Sequence, residues 1–488
     1  MTQTETNTTV KVKVLSPTLH FYHYVLRQSL NESLEERKER RKFFENNLKE
    51  ITSRLTCKKE KFVSDFLQLI DIKKEPSSGT IFDFKNTKLS DKCPNLNATD
   101  KCECHKPNSD RLYLETGIFK SRLAARCLND TYFLRLTRYI SSNEGEQSLN
   151  SFANLSEYLN TLKIELGQTA ILAGIVQSPL PPETTTRQIA VSCLHKYFSQ
   201  IPEEEIEEKL SEKYQFLDSP FYVLRREITL KESTENYQSK TTNLACVLLY
   251  KDETAERKAD RVYSIFQNLL LSYHKINYFY SQSRSLKVQL KRLYKAIEEQ
   301  TKSDSQQILD PQILVKLPQE SLEYYKLLSF LKDQARLIKV QQRNYRECIK
   351  EIEQETGEAM PKFFTNFQED INFYLEQMEA DIGFLSPAIQ LYERLMLSVQ
   401  TQVSINEAAI QEKQDKLGQI LTVAGTTIAL GQIAHKPITT TISQRIDGVK
   451  SLQPSLLSLW ISAIVTIVFS LAIGYGVSRI LSGWFTKK

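Results

Sequence analysis

The chain has 488 residues, which at roughly 150 residues per domain is enough for two to four packed domains. Glycine (14 residues) and proline (15 residues) are scarce, which favours long helices and argues against collagen-like, disordered and all-β proteins. The 64 basic and 59 acidic residues leave a formal charge of +5, too small over this length to indicate a nucleic-acid-binding protein.

The pattern of residues 1–255 predicts a cytosolic α+β domain. β-Branched and charged residues alternate over 8–15, which indicates a strand. Ser16-Pro17 indicates a turn, and the aromatic run that begins at His20 indicates a second strand. The charged stretch 32–56 predicts a helix. Further strands are predicted over 131–139, 187–193, 221–230 and 244–250, with helices near 152–166 and 203–213.

A polar insertion at 74–110 interrupts this domain and is rich in Lys, Asp, Asn, Pro and Ser. Within 13 residues it contains four side chains of the kinds that bind zinc: Cys93, Cys102, Cys104 and His105. They could form a structural zinc site that orders the loop. Cys104 and His105 are adjacent, however, and cannot easily reach one tetrahedral ion, so unliganded loop cysteines are the alternative.

After residue 255 the sequence shows no further strand patterns, and we predict a layer of long helices over 256–386. One amphipathic helix is predicted over 256–302, a linker contains Pro311 and Pro318, and a second helix covers 319–355. Pro361 and Pro387 bracket a third. No proline follows Pro387 until residue 437, so Ala388–Ala434 can form one continuous helix of about 70 Å. We call the segment 387–416 the stalk helix.

The first long helix carries a cluster of cations and aromatic rings, a combination that can pair with a phosphate and stack on a base. It predicts a nucleotide-like ligand, such as a nucleotide second messenger, held by His274, Lys275, Tyr278, Arg284 and Lys287. The alternative is a structural helix that packs its aromatic rings inward while its lysines stay hydrated.

Two uncharged segments near the C-terminus predict a transmembrane hairpin. The second, within 453–482, contains the apolar run Leu456–Val477, which is long enough to cross about 30 Å of hydrocarbon. The first, 417–434, is more polar. A short outer loop, 435–452, would join them, and a basic tail, 483–488, would follow. We therefore predict a multi-pass protein of the cell (inner) membrane with most of its chain in the cytosol.

The polar residues of the first membrane segment lie on one side of the predicted helix. Gln419, Thr422, Thr426 and Ile433 all fall within about 40° of the direction of Asp415 at 100° per residue. In lipid such a stripe must face partners or water, and several copies around one axis would form a pore lined by neutral oxygens. The predicted pore-lining residues are Asp415, Gln419, Thr422, Thr426 and Gln432. Hydrogen bonding between helices without conduction is the alternative.

Sequence motifs for catalysis are scarce. The chain has no G-x-G-x-x-G, Walker A, H-E-x-x-H or G-x-S-x-G motif, and its six histidines are scattered. We therefore predict that the chain is not an enzyme. A buried carboxylate pair with shifted pKa values would favour the opposite interpretation.

The order of these parts resembles the CorA-type divalent cation transporter superfamily. That resemblance implies a funnel-like homo-oligomer, a pentamer, with the first membrane span lining a pore for a divalent cation. The Gly-Met-Asn signature of the superfamily is absent, since Gly431-Gln432-Ile433 occupies the corresponding region. Divergent CorA-like membrane effectors accompany type III CRISPR systems in antiviral defence, and the large cytosolic domain is similar to that arrangement.

We therefore predict a CorA-like cation channel or transporter gated by its cytosolic domain. A nucleotide-activated antiviral membrane effector, as in type III CRISPR systems, is the more specific form of this prediction. A membrane-tethered coiled-coil scaffold that does not conduct ions is the rival interpretation.

Overall fold

A computed structural model describes most of the chain before residue 408. The described residues are 12–27, 34–55, 111–302 and 311–407, except 129, 157–158, 160–161, 178–179, 182–183 and 230–239. They fall into two compact units. Unit 1 contains the described residues up to Arg292 together with Leu327–Ser386, and unit 2 contains Leu293–Lys326 and the described residues from Pro387 onward.

Unit 1 is built on a nine-stranded mixed sheet. Its strands are β1 (Lys13–Leu26), β2 (Arg111–Thr116), β3 (Phe119–Leu128), β4 (Thr131–Ile140), β5 (Gln147–Ser148), β6 (Gly167–Val176), β7 (Tyr214–Phe216), β8 (Ser219–Thr229) and β9 (Lys240–Tyr250). The spatial order is β2-β3-β4-β1-β6-β9-β8-β7, and β5 pairs with β1. The β6–β9 pair is parallel, and the other pairs are antiparallel.

The described helices lengthen after the sheet. They are α1 (Leu34–Leu55), α2 (Ser151–Ser156), α3 (Thr186–Tyr197), α4 (Glu203–Lys209), α5 (Glu253–Lys302), α6 (Pro311–Thr356), α7 (Lys362–Leu385) and α8 (Ala388–Glu407). An N-terminal domain of strands and helices followed by long helices is the order that the sequence predicts, and the structure confirms it.

Short helices cover one face of the sheet. Apolar side chains alternate along β1, so that Phe21 and Val25 join the core beneath these helices. Phe44 of α1, Phe152 of α2 and Leu194 of α3 pack into the same core, and each is buried. The period-two pattern of the strands thus meets the apolar stripes of the helices.

Helix α5 covers the opposite face. The Tyr22 hydroxyl donates to the Tyr263 carbonyl at 3.3 Å, and the Tyr24 hydroxyl donates to the Gln267 carbonyl at 2.8 Å. Both tyrosines are fully buried, and these bonds satisfy hydroxyls that would otherwise be costly to bury. α5 therefore lies along the centre of the sheet.

Two predicted local structures are wrong. The Ser16-Pro17 turn is absent because β1 continues through it with an irregularity in its pairing with β6 between Leu15 and Thr18, where Ser16 adopts a φ of 52°. The strand predicted over 187–193 is the first part of α3, which begins with a capping box between Thr185 and Gln188. Its buried residues recur with helical spacing.

Other elements were predicted with different bounds or missed. The strands predicted over 131–139, 221–230 and 244–250 are confirmed as β4, β8 and β9. Strand β6 was not predicted from the sequence, and it begins at Gly167, directly after the helix predicted near 152–166. The predicted linker around Pro318 is wrong, since α6 begins at Pro311 and contains Pro318. Pro311 suits the first position of the helix because the first amide groups there lack helical partners, whereas Pro318 lies inside the helix, seven residues later.

Among the described residues, no helix combines the length and apolar character needed to span a membrane. The predicted membrane segments, 417–434 and 453–482, lie outside the described residues, as do the loop between them and the tail.

Candidate functional site

The five residues predicted to hold a nucleotide-like ligand all lie on α5, within residues 274–287. They do not converge on one place. His274 contacts the sheet, Lys275 pairs with a residue of the β3–β4 turn, and Arg284 and Lys287 pair with α7. The five side chains have different partners, so the structure does not bring them together around one ligand. A ligand shared by all five stays a prediction.

His274 is enclosed by the ends of two parallel strands. Its Nε2 lies 2.7 Å from Thr169 Oγ1 on β6, and its Nδ1 lies 2.9 Å from Thr242 Oγ1 on β9. The side chain is fully buried, and burial lowers the pKa of His274 to about 3. The imidazole is therefore neutral and holds α5 to the sheet.

Lys275 and Tyr278 are also buried. The Lys275 ammonium pairs with the Asp130 carboxylate between β3 and β4, which provides the counter-ion that a buried ammonium requires. The Tyr278 ring contacts Phe279 edge to face, with ring centroids 5.9 Å apart. These contacts fit the structural alternative for this part of the helix, because the side chains serve packing within unit 1.

Arg284 and Lys287 share one carboxylate on α7. Arg284 Nη1 and Lys287 Nζ each lie 2.7 Å from an oxygen of Asp381. The Arg284 and Asp381 side chains are 16% and 11% exposed, so this ion pair is shielded from solvent. Arg284 Nη2 is buried as well and has no hydrogen-bond partner within the described part of the chain.

Aromatic stacking extends the cluster along both helices. The Tyr280 and Tyr374 rings are stacked, with centroids 3.8 Å apart and planes 8° apart. The Arg284 guanidinium lies 4.9 Å from the centroid of Tyr280, a cation–π contact. The Tyr280 hydroxyl donates to Gln377. We call this cluster the α5–α7 seam; its residues are Tyr280, Arg284 and Lys287 of α5 and Tyr374, Gln377 and Asp381 of α7.

The seam contains side chains of the types that nucleotide sites use. Its cations could pair with a phosphate and its rings could stack on a base. In the structure, however, the two tyrosine rings stack on each other and Asp381 neutralises the cations. The arrangement therefore joins two helices through groups that pair with each other.

A cluster of acidic residues lies at the start of α5. Glu256 is half-buried, and burial followed by repulsion from Asp260 and Glu253 raises its pKa to about 7. Asp260 is exposed at the surface. Nearby, the Tyr250 and Tyr263 hydroxyls are 2.5 Å apart. Burial also raises the pKa of Asp260, so both carboxyl groups hold their protons more tightly than usual, but Asp260 is exposed and the pair is therefore not enclosed in the interior.

The remaining predicted sites lie outside the described residues. These are the pore-lining set Asp415, Gln419, Thr422, Thr426 and Gln432, and the zinc-type set Cys93, Cys102, Cys104 and His105. Where the structure does describe the chain, no three His, Cys, Asp or Glu side chains are grouped so that they could hold a metal ion.

Asp381 was not singled out from the sequence, although a signal for it exists. The buried face of α7 repeats every three or four residues through Phe364, Phe367, Ile371, Leu375, Met378, Asp381 and Leu385. One carboxylate at an apolar position of that repeat indicates that a cation faces it, because a buried charge requires a partner.

No protein-family model matches the chain, and no curated protein or solved structure matches it.

Replacing Asp381 with Asn is expected to lower the free energy of unfolding by about 2 kcal/mol, because Arg284 then remains buried without its counter-ion. Thermal unfolding of the full chain measures the loss. Glu379→Gln is the matched control on the same helix, since Glu379 and its partner Lys339 are 58% and 57% exposed. Such a surface pair contributes about 0.5 kcal/mol. Equal effects of the two substitutions would contradict the assignment of the seam as a buried ion pair.

Proposed function

We propose that this chain is a CorA-like membrane cation channel or transporter that is gated by its cytosolic domain. Three features of the sequence support the proposal: the uncharged segments 417–434 and 453–482, the polar stripe on the first of them, and the long helices that precede it. A stripe of neutral oxygens suits hydrated cations when several copies place it around one axis.

The observation that carries the proposal is the helical connection from the α/β domain toward the first uncharged segment. α7 ends at Leu385, and α8 begins at Ala388 and continues to Glu407, ten residues before Leu417. No proline or glycine interrupts 388–417, so the sequence predicts that the helix continues. A rigid helix can carry a displacement at its base to the membrane segment.

The α5–α7 seam provides a physical basis for gating. Asp381 lies on the last full turn of α7, just before the turn at Ser386-Pro387 from which α8 starts. Moving a gate from 1% to 99% open takes about 5.5 kcal/mol of differential stabilisation. Making or breaking a seam that contributes about 2 kcal/mol would supply a substantial part of that difference. In this proposal the gating signal acts on the contacts between α5 and α7.

The pore assignment predicts a position-specific loss of conduction. Thr422→Leu combined with Thr426→Leu is expected to lower cation flux into liposomes at least tenfold, because two apolar side chains replace oxygens that would line the pore. Thr427→Leu is the matched control, since Thr427 lies about 100° away from Thr426 on the helix. Unchanged flux in the double variant, or an equal loss in the control, would count against the pore.

The predicted hairpin is tested separately by its topology. A single cysteine introduced into 436–450 should react with a membrane-impermeant maleimide added from outside the cell. Protection of that cysteine, together with no flux, would support the rival tethered scaffold.

A further inference from the structure

Helix α7 exposes two phenylalanines on one side. Phe373 and Phe384 are 59% and 60% exposed, the highest values for large apolar side chains among the described residues of unit 1. They are eleven residues apart, which is three turns of helix with an offset of about 20°. Two exposed rings in line, with the exposed Ala380 between them, form an apolar face of a kind that marks an interaction surface.

Acidic side chains flank this face. Glu369 and Glu376 lie one turn before and one turn after Phe373, and both are exposed. Neither carboxylate pairs with a cation within the described part of the chain. An apolar centre with a charged rim is the usual organisation of a protein–protein interface. A partner surface that carries cations would complement this rim in charge.

Helix α5 carries a surface of matching chemistry. Val288 is 42% exposed, and the exposed cations Lys291 and Arg292 follow it by three and four residues. Among the described residues neither cation has an anionic partner. From Arg284 to Lys295 the sequence holds five cations and no acid. This α5 ridge (Val288, Lys291 and Arg292) therefore complements the α7 face (Glu369, Phe373, Glu376 and Phe384) in charge and in apolar character.

We propose that a second copy of this chain covers the α7 face and that its α5 ridge makes the contact. Because the two surfaces are different, a single contact leaves the α5 ridge of one copy and the α7 face of the other copy unused. Repetition of such a head-to-tail contact closes into a ring when the rotation between copies permits it. The inference rests on the proposed function, which requires several copies around one pore.

Photocrosslinking of the full chain in detergent tests the contact. Phe373→p-benzoylphenylalanine should give a covalent dimer on illumination, and mixing with ¹⁵N-labelled chain should place the link between copies, within residues 284–292. The same substitution at Ile118, which is 40% exposed in the β2–β3 turn, is the control and should give at least tenfold less dimer. Absence of a dimer, a link within one chain, or adducts with detergent alone would overturn the proposal.

Charge reversal provides a second readout in the same assay. Glu376→Lys and Lys291→Glu should each lower the dimer yield about tenfold, and their combination should restore at least half of it. Failure of the double variant to recover would overturn the pairing of the two surfaces. Ion flux is measured separately, so a crosslinked ring that does not conduct would refute the channel alone, whereas conduction without the link would refute this interface alone.

Discussion

Replacing Gly167 with Ala should lower the free energy of unfolding by about 3 kcal/mol. A β carbon at this position would lie 2.2 Å from His274 Nδ1 and 2.5 Å from His274 Cγ. The ring cannot move aside cheaply, because Thr169 and Thr242 hold its two nitrogens. Overpacking a core costs about 1–3 kcal/mol, and loss of a buried hydrogen bond adds about 1–3 kcal/mol.

Two comparisons isolate the cause of this loss in thermal unfolding. Gly383→Ala is the matched control, because a β carbon at Gly383 has no atom within 4 Å, and alanine is the better helix former. In the His274→Ala background, Gly167→Ala should become less costly by at least 1 kcal/mol, since the clashing ring is gone. Equal costs in both backgrounds would show that His274 is not the obstacle.

Acidification from pH 7 to pH 5 is expected to remove about 4 kcal/mol of stabilisation that the neutral imidazoles of His23 and His274 give unit 1, a loss that proton uptake by Glu256, with its raised pKa, partly offsets. Burial lowers the pKa of His23 to about 4 and the pKa of His274 to about 3. In the unfolded chain a histidine has a pKa of about 6.5, so the unfolded state binds more protons. The stabilisation from neutral imidazoles is therefore present above pH 6.5 and is lost as pH falls, by about 2 kcal/mol for each ring at pH 5.

His20 contributes to the same loss. Burial lowers its pKa, with a smaller contribution from the charge of Arg135. Its ring is stacked on Tyr263 at 3.7 Å and lies 3.3 Å from Thr137 Oγ1, so protonation would place a charge between the sheet and α5.

Denaturant unfolding at pH 7 and pH 5 measures the acid effect. His23→Gln should reduce the difference between the two pH values by about 2 kcal/mol, although it also weakens the fold at pH 7. Val25→Ala, at a fully buried position of the same strand, is the control that destabilises the core without removing a titrating group. If both variants kept the full pH difference, the buried imidazole of His23 would not be its source.

Local patterns in the sequence predicted the long helices well. The charged stretch 32–56 is α1, the amphipathic stretch 256–302 is α5, and Pro361 and Pro387 bracket α7. These predictions succeeded because a helix forms its hydrogen bonds within one segment and shows its buried face as a regular spacing of apolar residues. Proline marks the ends because it lacks the amide hydrogen that helix interiors require.

Strands were harder to predict, since a strand is completed by distant residues. β6 lies between β1 and β9, so its glycine- and alanine-containing sequence is stabilised by two neighbours that are remote along the chain. The segment 187–193 has residues suited to a strand, yet the capping box at Thr185 and the core beneath α3 favour a helix. Tertiary packing decided between two local patterns of similar strength.

The candidate site divides in the same way. The sequence places His274, Lys275, Tyr278, Arg284 and Lys287 on one helix, and the structure confirms that helix. A helix presents side chains in every direction, so their spacing does not determine what each one meets. The buried positions of α7, including Asp381, were present in the sequence, but their pairing with cations 94 and 97 residues earlier was not.

The sequence by itself determined the composition of the parts: a domain of strands and helices, long helices after it, and two uncharged segments near the C-terminus. Only the tertiary structure decided that His274 and Lys275 are interior residues and that Arg284 and Lys287 meet at Asp381. The physical reason is that periodicity reports which side of an element avoids water, whereas the partner of a buried polar group depends on which distant segment packs against it.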